Sequence, residues 1–450
     1  MTGRVGALAP PLAVAAALAV AGCGGAPDGG PDATPGDATN VDAAPAAPDY
    51  VLFAPLSSTT TYLIDRAGEV VHTWASTARP GAAVYLLDDG GLLRAEELPS
   101  TVFRAGGIGG RIATYAWDGT PSWHYDYASA THHAHHDAIR LPDGHVLAIA
   151  WEVIADADAL AAGRDPALLP ATGSLWADHL VEIDPATDTI VWQWHAWDHL
   201  IQDRDPTAAG YGVVADHPEL VDVNAGGRAQ NDWTHVNAVA YRADLDQIVL
   251  SVHNLGEVWI LDHGTTTAEA ASHQGGRRGH GGDLLYRWGN PAVTGAGTAA
   301  DQQLFAQHAA HWIDDGLPGA GHLLVFNNGS FATRPYSTVD ELDLPVDADG
   351  GYDLAAGPIA PAAPSWRYVA DPPEAMFAAN ISGAQRLPDG DTLICVGPDG
   401  RFLEVTDAGD TVWTYQYPGA MTSVFRATAY PATHPGLAGR DLAPTGPIAP

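Results

Sequence analysis

The chain has 450 residues and a formal charge of −34, with 54 acidic residues against 20 basic ones, and every basic residue is arginine. A surface this acidic repels nucleic acid and anionic membranes at long range, so no nucleic-acid partner is expected and any anion site must be built locally. The apolar share, 46%, suits a globular protein with a sizeable core, and two cysteines cannot form a disulfide framework.

The chain opens with MTGRVGALAPPLAVAAALAVAGCGG, in which Arg4 precedes an apolar run of small residues ending in Val20-Ala21-Gly22-Cys23. Residues 1–23 read as a bacterial lipoprotein signal, with Cys23 lipidated as the mature N-terminus; an ordinary secretory signal is the alternative. The expectation is an exported protein held in the cell envelope by a lipid anchor at Cys23. Gly25 is not acidic, which favours transfer to the outer membrane. Residues 24–49 are almost wholly Gly, Pro, Ala and Asp, have little to bury, and read as a disordered tether. Cys395, in TLICVG, reads as a small buried hydrophobe.

From Tyr50 onward a pair of hairpins recurs. The first of each pair is seen in AVYLLDDGGLLRAEE, HHDAIRLPDGHVLAIAWE, HVNAVAYRADLDQIVLSVH, HAAHWIDDGLPGAGHLLVFNN and ISGAQRLPDGDTLICVG. Asp-Gly and Pro-Asp-Gly supply the positive-φ turn position, and the flanking runs are β-branched or aliphatic. The second hairpin runs from apolar-x-Asp through a turn to a strand closing on tryptophan. The series is Trp74, Trp123, Trp192, Trp288, Trp366 and Trp413. Six four-stranded antiparallel units make residues 50–450 an all-β, six-bladed β-propeller in expectation. The tail VFRATAYPATHPGLAGRDLAP is expected to complete a blade with the strand near Tyr50. Long insertions, such as HAWDHLIQDRDPTAAGYGVVADHPELVDVNAGGRAQ, are expected to wall a site at one channel mouth.

The repeat aligns histidines between units. His136 precedes Gly144 by eight residues, His308 precedes Gly316 by eight, and His235 precedes Asp244 by nine; Ala82 and Ser382 take the same place elsewhere. The seventh residue after each turn is Glu97, Trp151, His253, Asn328 or Gly397. In an antiparallel hairpin the end of the second strand lies beside the start of the first, so His253 should face His235. Four imidazoles, of His136, His235, His253 and His308, are expected at one channel mouth. His132 and His133 read as solvated loop, and HQGGRRGH as a Gly-rich hairpin tip.

HHDAIRLPDG, DWTHVNAVAY with DLDQIVLSVHNLGEVWILDH, LLYRWGNP, QHAAHW followed by VFNNG, and FRATAYPATHPGLAG together resemble the bacterial arylsulfate sulfotransferase family. The family comprises six-bladed propeller enzymes of the cell envelope that move a sulfuryl group from a phenolic ester to a phenol without a nucleotide donor. The resemblance implies a transiently sulfurylated histidine, His308 in Gln-His, with His136 and His235 as acid/base and oxyanion-stabilising groups. Asn237, Asn254, Asn328 and His135 are the accompanying substrate-binding candidates. It implies no cofactor, and an aryl sulfate and a phenol as partners. One position departs: where the family reads Ser-x-Arg, this chain has Ser251-Val252-His253, a titratable ring for a permanent cation. That departure leaves open a metal enzyme using His136, His235, His253 and His308 as ligands, and a non-catalytic binding or scaffold lipoprotein.

Overall fold

The computed structural model describes residues 49–354 and 359–449. The expected signal peptide with Cys23, and the tether as far as residue 48, lie outside the described residues. Among those described, no helix is long and apolar enough to cross a membrane, and Cys395 is a buried free thiol.

The turn chemistry acts as the residue types dictate. In the first hairpins Gly90, Gly144 and Gly390 take φ of 83°, 94° and 94°. Each donates its N–H to the residue three back, Gly144 to Leu141 O at 3.0 Å. Aspartates lock the turns from within, as Asp143 Oδ1 accepts from His145 N at 2.9 Å. In the second hairpins, Asp65 Oδ1 takes N–H bonds from both Ala67 and Glu69, at 2.9 Å each.

The strands form an all-β, propeller-type arrangement. Four sheets stand separately with four strands each, and two further four-stranded meanders share one eight-stranded sheet. Those two meet through a single parallel pairing, Ala82 with His136, between strands Pro80–Leu86 and His132–Arg140. The innermost strands are Pro80–Leu86, His132–Arg140, Val236–Arg242, His308–Trp312, Gly383–Arg386 and Val424–Tyr430. They touch in that cyclic order, the last returning to the first. As expected from the tail, Val424–Tyr430 pairs antiparallel with Tyr50–Pro55, Tyr50 opposite Tyr430.

Every closing tryptophan lies on the outermost strand of its meander. Each indole N–H donates to the next unit: Trp74 to Ala116 O (3.2 Å), Trp123 to Asp188 Oδ1 (2.8 Å), Trp192 to Thr265 Oγ1 (3.0 Å), Trp288 to Pro361 O (2.7 Å) and Trp366 to Asp407 O (3.0 Å). Trp413 returns to Arg66 O at 2.8 Å and closes the circle. A large apolar ring buried against a neighbour needs a partner for its one donor, and the turn of that neighbour supplies it. Between sheets the core is aliphatic and aromatic; Leu147, Ile149 and Trp194 pack with Val236, Leu250 and Trp259 in one cluster.

A charged staple crosses one of these seams. His263 Nδ1 lies 2.8 Å from Asp246 Oδ1 and its Nε2 2.8 Å from Glu182 Oε2, while His145 Nδ1 lies 2.5 Å from Glu182 Oε1. Burial opposes charge on His263, but the two carboxylates outweigh it and raise its pKa above the usual 6.5. Burial likewise opposes charge on Glu182, and its hydrogen bonds from His263 and His145 outweigh that and lower its pKa below the usual 4.5. The His263 contribution is therefore complete below pH 6.5 and fades as pH rises through the folded value; the Glu182 contribution is complete above 4.5 and fades as pH falls through its own. His263→Ala should lower stability by roughly 2 kcal/mol inside that window, the scale of charge-assisted hydrogen bonds. Urea midpoints of parent and variant should converge on either side of it.

Candidate functional site

The inner strands do not start regularly. Ala82, His136, His235, Ala309 and Ser382 have φ of 136°, 54°, 52°, 56° and 86°, a conformation that side chains other than glycine rarely adopt. Register shifts accompany them, between Pro80 and Val84, Ala134 and Ala138, Val236 and Ala238, and His308 and His311. Such bulges re-aim a side chain relative to the ladder, here at the same end of successive inner strands. His136 and His235 occupy the left-handed position itself. In the next unit Ala309 occupies it, so His308 stands one residue earlier than equal counting from the turn glycine implies. The turns differ in length, and spacing from the turn does not carry over unchanged.

The four imidazoles lie in a row. Ring centroids are 4.6 Å apart for His136 and His235, 4.8 Å for His235 and His253, and 5.4 Å for His253 and His308. Phe425 touches both ends, 6.0 Å from His136 and 6.3 Å from His308. His253 faces His235 as the hairpin pairing requires, His253 N donating to His235 O at 3.1 Å.

Each ring is oriented by a partner. His235 Nδ1 pairs with Asp232 Oδ2, and Asp232 also accepts from the Trp151 indole at 3.0 Å. His253 Nδ1 lies 2.8 Å from Asn254 Oδ1; Asn254 Nδ2 donates to Asp232 O at 2.8 Å, which fixes its amide and makes His253 Nδ1 the protonated nitrogen. His308 Nδ1 faces two carbonyl oxygens, Asn328 Oδ1 at 2.8 Å and Ala306 O at 3.1 Å, so it carries the proton. Its Nε2 lone pair accepts from Ile381 N at 3.2 Å. Asn328 Nδ2 is held by Ala378 O and Ile381 O at 2.7 and 2.8 Å.

The other expected residues are placed as follows. His135 stacks on Trp151 at 3.9 Å and its Nδ1 is 2.8 Å from His136 Nδ1. Its Nε2 lies 2.8 Å from Asp178 Oδ1, off the hydrogen-bond direction. Asn237 is wholly buried and donates to Gln307 O at 2.8 Å, so its contact is with the neighbouring unit. Neither His132 nor His133 is the solvated loop expected, since both belong to the strand His132–Arg140 and His133 is 1% exposed.

Electrostatics divide the rings. Burial lowers the pKa of His136 and His253 well below 6.5, and the neighbouring histidines add to it. Burial brings His308 to about 3. His235 goes the other way: burial opposes its charge, but the Asp232 carboxylate outweighs burial and raises it. The row thus places one ring that favours a proton among three that refuse it. Asp232, Trp151 and Phe425 were missed in the sequence. Asp232 had a weak signal, an acid three residues before His235 in DWTH.

Two openings reach the axis. A cleft of about 720 Å³ is lined by His253, Asn254, Arg228, Phe305 and Phe331 among others, and Phe331 is 79% exposed against Phe377 at 4.8 Å. A separate cavity of about 210 Å³ is lined by Arg426, Tyr85 and His311. Arg426 is held there by Tyr85 OH at 2.7 Å and Asp137 Oδ2 at 3.2 Å.

The four-histidine metal reading meets an obstacle in this geometry. Among the described residues, the sets of three His, Cys, Asp or Glu ligand atoms that lie within 4.8 Å of one another are all elsewhere. Ligand bonds of about 2 Å need the donor nitrogens to converge, and no three of these four rings bring theirs that close.

Fold and site thus define a propeller-type protein with a row of histidines at the inner strand starts. The chain belongs to the Arylsulfotransferase (ASST) family, whose model matches residues 41–344, and membership supports a sulfotransferase activity. No curated protein gives a significant match. Similar solved structures include a protein of unknown function from Bacteroides caccae, 11% identical over 85% of this chain and 98% of that one, with a TM-score of 0.46. The periplasmic gluconolactonase PpgL of Pseudomonas aeruginosa is 13% identical over 85% and 99%, with a TM-score of 0.42. These scores are too low for either likeness to bear on activity.

Asp232→Asn removes the charge that opposes burial at His235. The His235 ring should then titrate below 6.5 instead of above it, read from the ring nitrogens by NMR.

Proposed function

We propose that the protein is a six-bladed propeller enzyme that transfers a sulfuryl group from an aryl sulfate to a phenol through His308. The count of six takes the eight-stranded sheet as two blades, supported by the cyclic contact of the innermost strands. The observation that carries the chemistry is the state of His308. Two carbonyl oxygens hold its proton on Nδ1, and burial keeps the ring neutral, so Nε2 is a nucleophile at neutral pH.

In the first half-reaction the Nε2 lone pair leaves the Ile381 N–H and forms a bond to sulfur. The sulfur–oxygen bond to the aryl group breaks, its electron pair going to the phenolic oxygen. His235, the one ring with a raised pKa, gives that oxygen a proton. In the second half-reaction a phenol returns a proton to His235 as its oxygen attacks sulfur and the nitrogen–sulfur bond breaks. The freed Ile381 N–H is a donor for a sulfuryl oxygen, and Phe305 and Phe331 offer aromatic faces for the aryl group; His136, with its Nδ1 against His135 and its ring against Gly107, acts by holding the row in place. Asn328, Asn254, Asn237 and His135 act by holding the rings and inner strands.

His253 decides how well the anion is held. Its protonated Nδ1 is committed to Asn254, so the neutral ring offers Nε2 as a lone pair, where the family's arginine would offer donors. Export, lipidation at Cys23 and anchoring in the cell envelope complete the proposal.

Full-length protein should turn over 4-nitrophenyl sulfate with a phenol acceptor. His308→Ala should abolish transfer while leaving the thermal midpoint in place, and His253→Arg should raise kcat/KM by about tenfold, the worth of one charge-assisted contact. No turnover in either the parent or His253→Arg would leave a binding lipoprotein as the reading.

A further inference from the structure

The connection after strand Thr189–His195 and the insertion between strands Glu257–Asp262 and Tyr286–Trp288 bring together His199, His273 and Asp283, which the proposed reaction does not use. His199 Nδ1 and His273 Nδ1 each lie 2.7 Å from the same atom, Asp283 Oδ1. One ligand atom from each of the three falls within 4.8 Å of the others. The His199 side chain is 0% exposed and that of Asp283 7%.

His199 Nε2 lies 2.8 Å from Ala270 O and can only donate there. With Nε2 committed to that carbonyl, Nδ1 is the ring atom aimed at the Asp283 carboxylate. The second imidazole, of His273, brings another nitrogen to the same oxygen. Two imidazoles and a carboxylate, with one ring anchored to a backbone carbonyl through its other nitrogen, is the donor set and outer support of a divalent transition-metal site. The frame is rigid: Trp194 stacks on His199 with 5° between planes, and its indole donates to Gly282 O at 2.7 Å, next to Asp283. An entry path exists as well. A cleft of about 700 Å³ reaches His273 and Asp283, and His217, Glu219 and His280 line it, leaving a coordination position for water.

We propose that His199, His273 and Asp283 bind Zn²⁺, which staples the two insertions together. The HQGGRRGH segment is then no mere hairpin tip, since it delivers His273 to the ion.

The test uses full-length protein made without a polyhistidine tag and stripped with a chelator. Calorimetry with Zn²⁺ should show one tight site, Co²⁺ should give visible absorption bands of a nitrogen and oxygen environment, and Zn²⁺ should raise the thermal midpoint. His273→Ala removes a ring whose side chain is 57% exposed, so folding should survive. It should weaken Zn²⁺ binding by more than about tenfold, at least the effect of losing an outer-shell partner, and erase the midpoint rise. Asp283→Asn should do the same. Absence of Zn²⁺ binding by the parent would overturn the proposal. So would binding that survives His273→Ala and disappears in His253→Ala, which would put the ion on the axis.

Discussion

Ring closure is the constraint on which this molecule depends. Each four-stranded meander is too small to bury both its faces, and each would expose an edge if it stood alone. The pairing of Val424–Tyr430 with Tyr50–Pro55 builds one meander from both ends of the described chain, so that no unit lacks a neighbour. The indole bonds run the same way around the rim, from Trp74 to Ala116 and finally from Trp413 back to Arg66. Breaking the closure would loosen every seam, because each core cluster is shared between neighbours.

Closure also builds the site. Once the inner strands are held around the axis, their first residues have little room, and the bulges with positive φ turn side chains inward. Held there by the whole ring, backbone strain at His136 and His235 persists where an isolated hairpin would relax it. The same burial explains the chemistry of the row. Desolvation alone would leave all four imidazoles neutral. Asp232 reverses that at one ring only, and the result is one imidazole that favours a proton in a row with three that do not, on a protein whose net charge is strongly negative.

Local, repeating features were legible in the chain. Asp-Gly turns, alternating strands and the six tryptophans reveal propeller-type meanders, because turn geometry and strand patterning act over a few residues. The facing of His235 and His253 followed from hairpin pairing alone. Sequence could not show that Ala309, and not His308, takes the left-handed position, since bulge placement depends on the neighbouring unit. Nor could it show that Asn237 is turned into a seam, that Asp232 raises the pKa of one ring, or that His199 and Asp283 meet across 84 residues. Those outcomes depend on distances between segments remote in sequence. Only the closed ring, by bringing them together and excluding water, decides them.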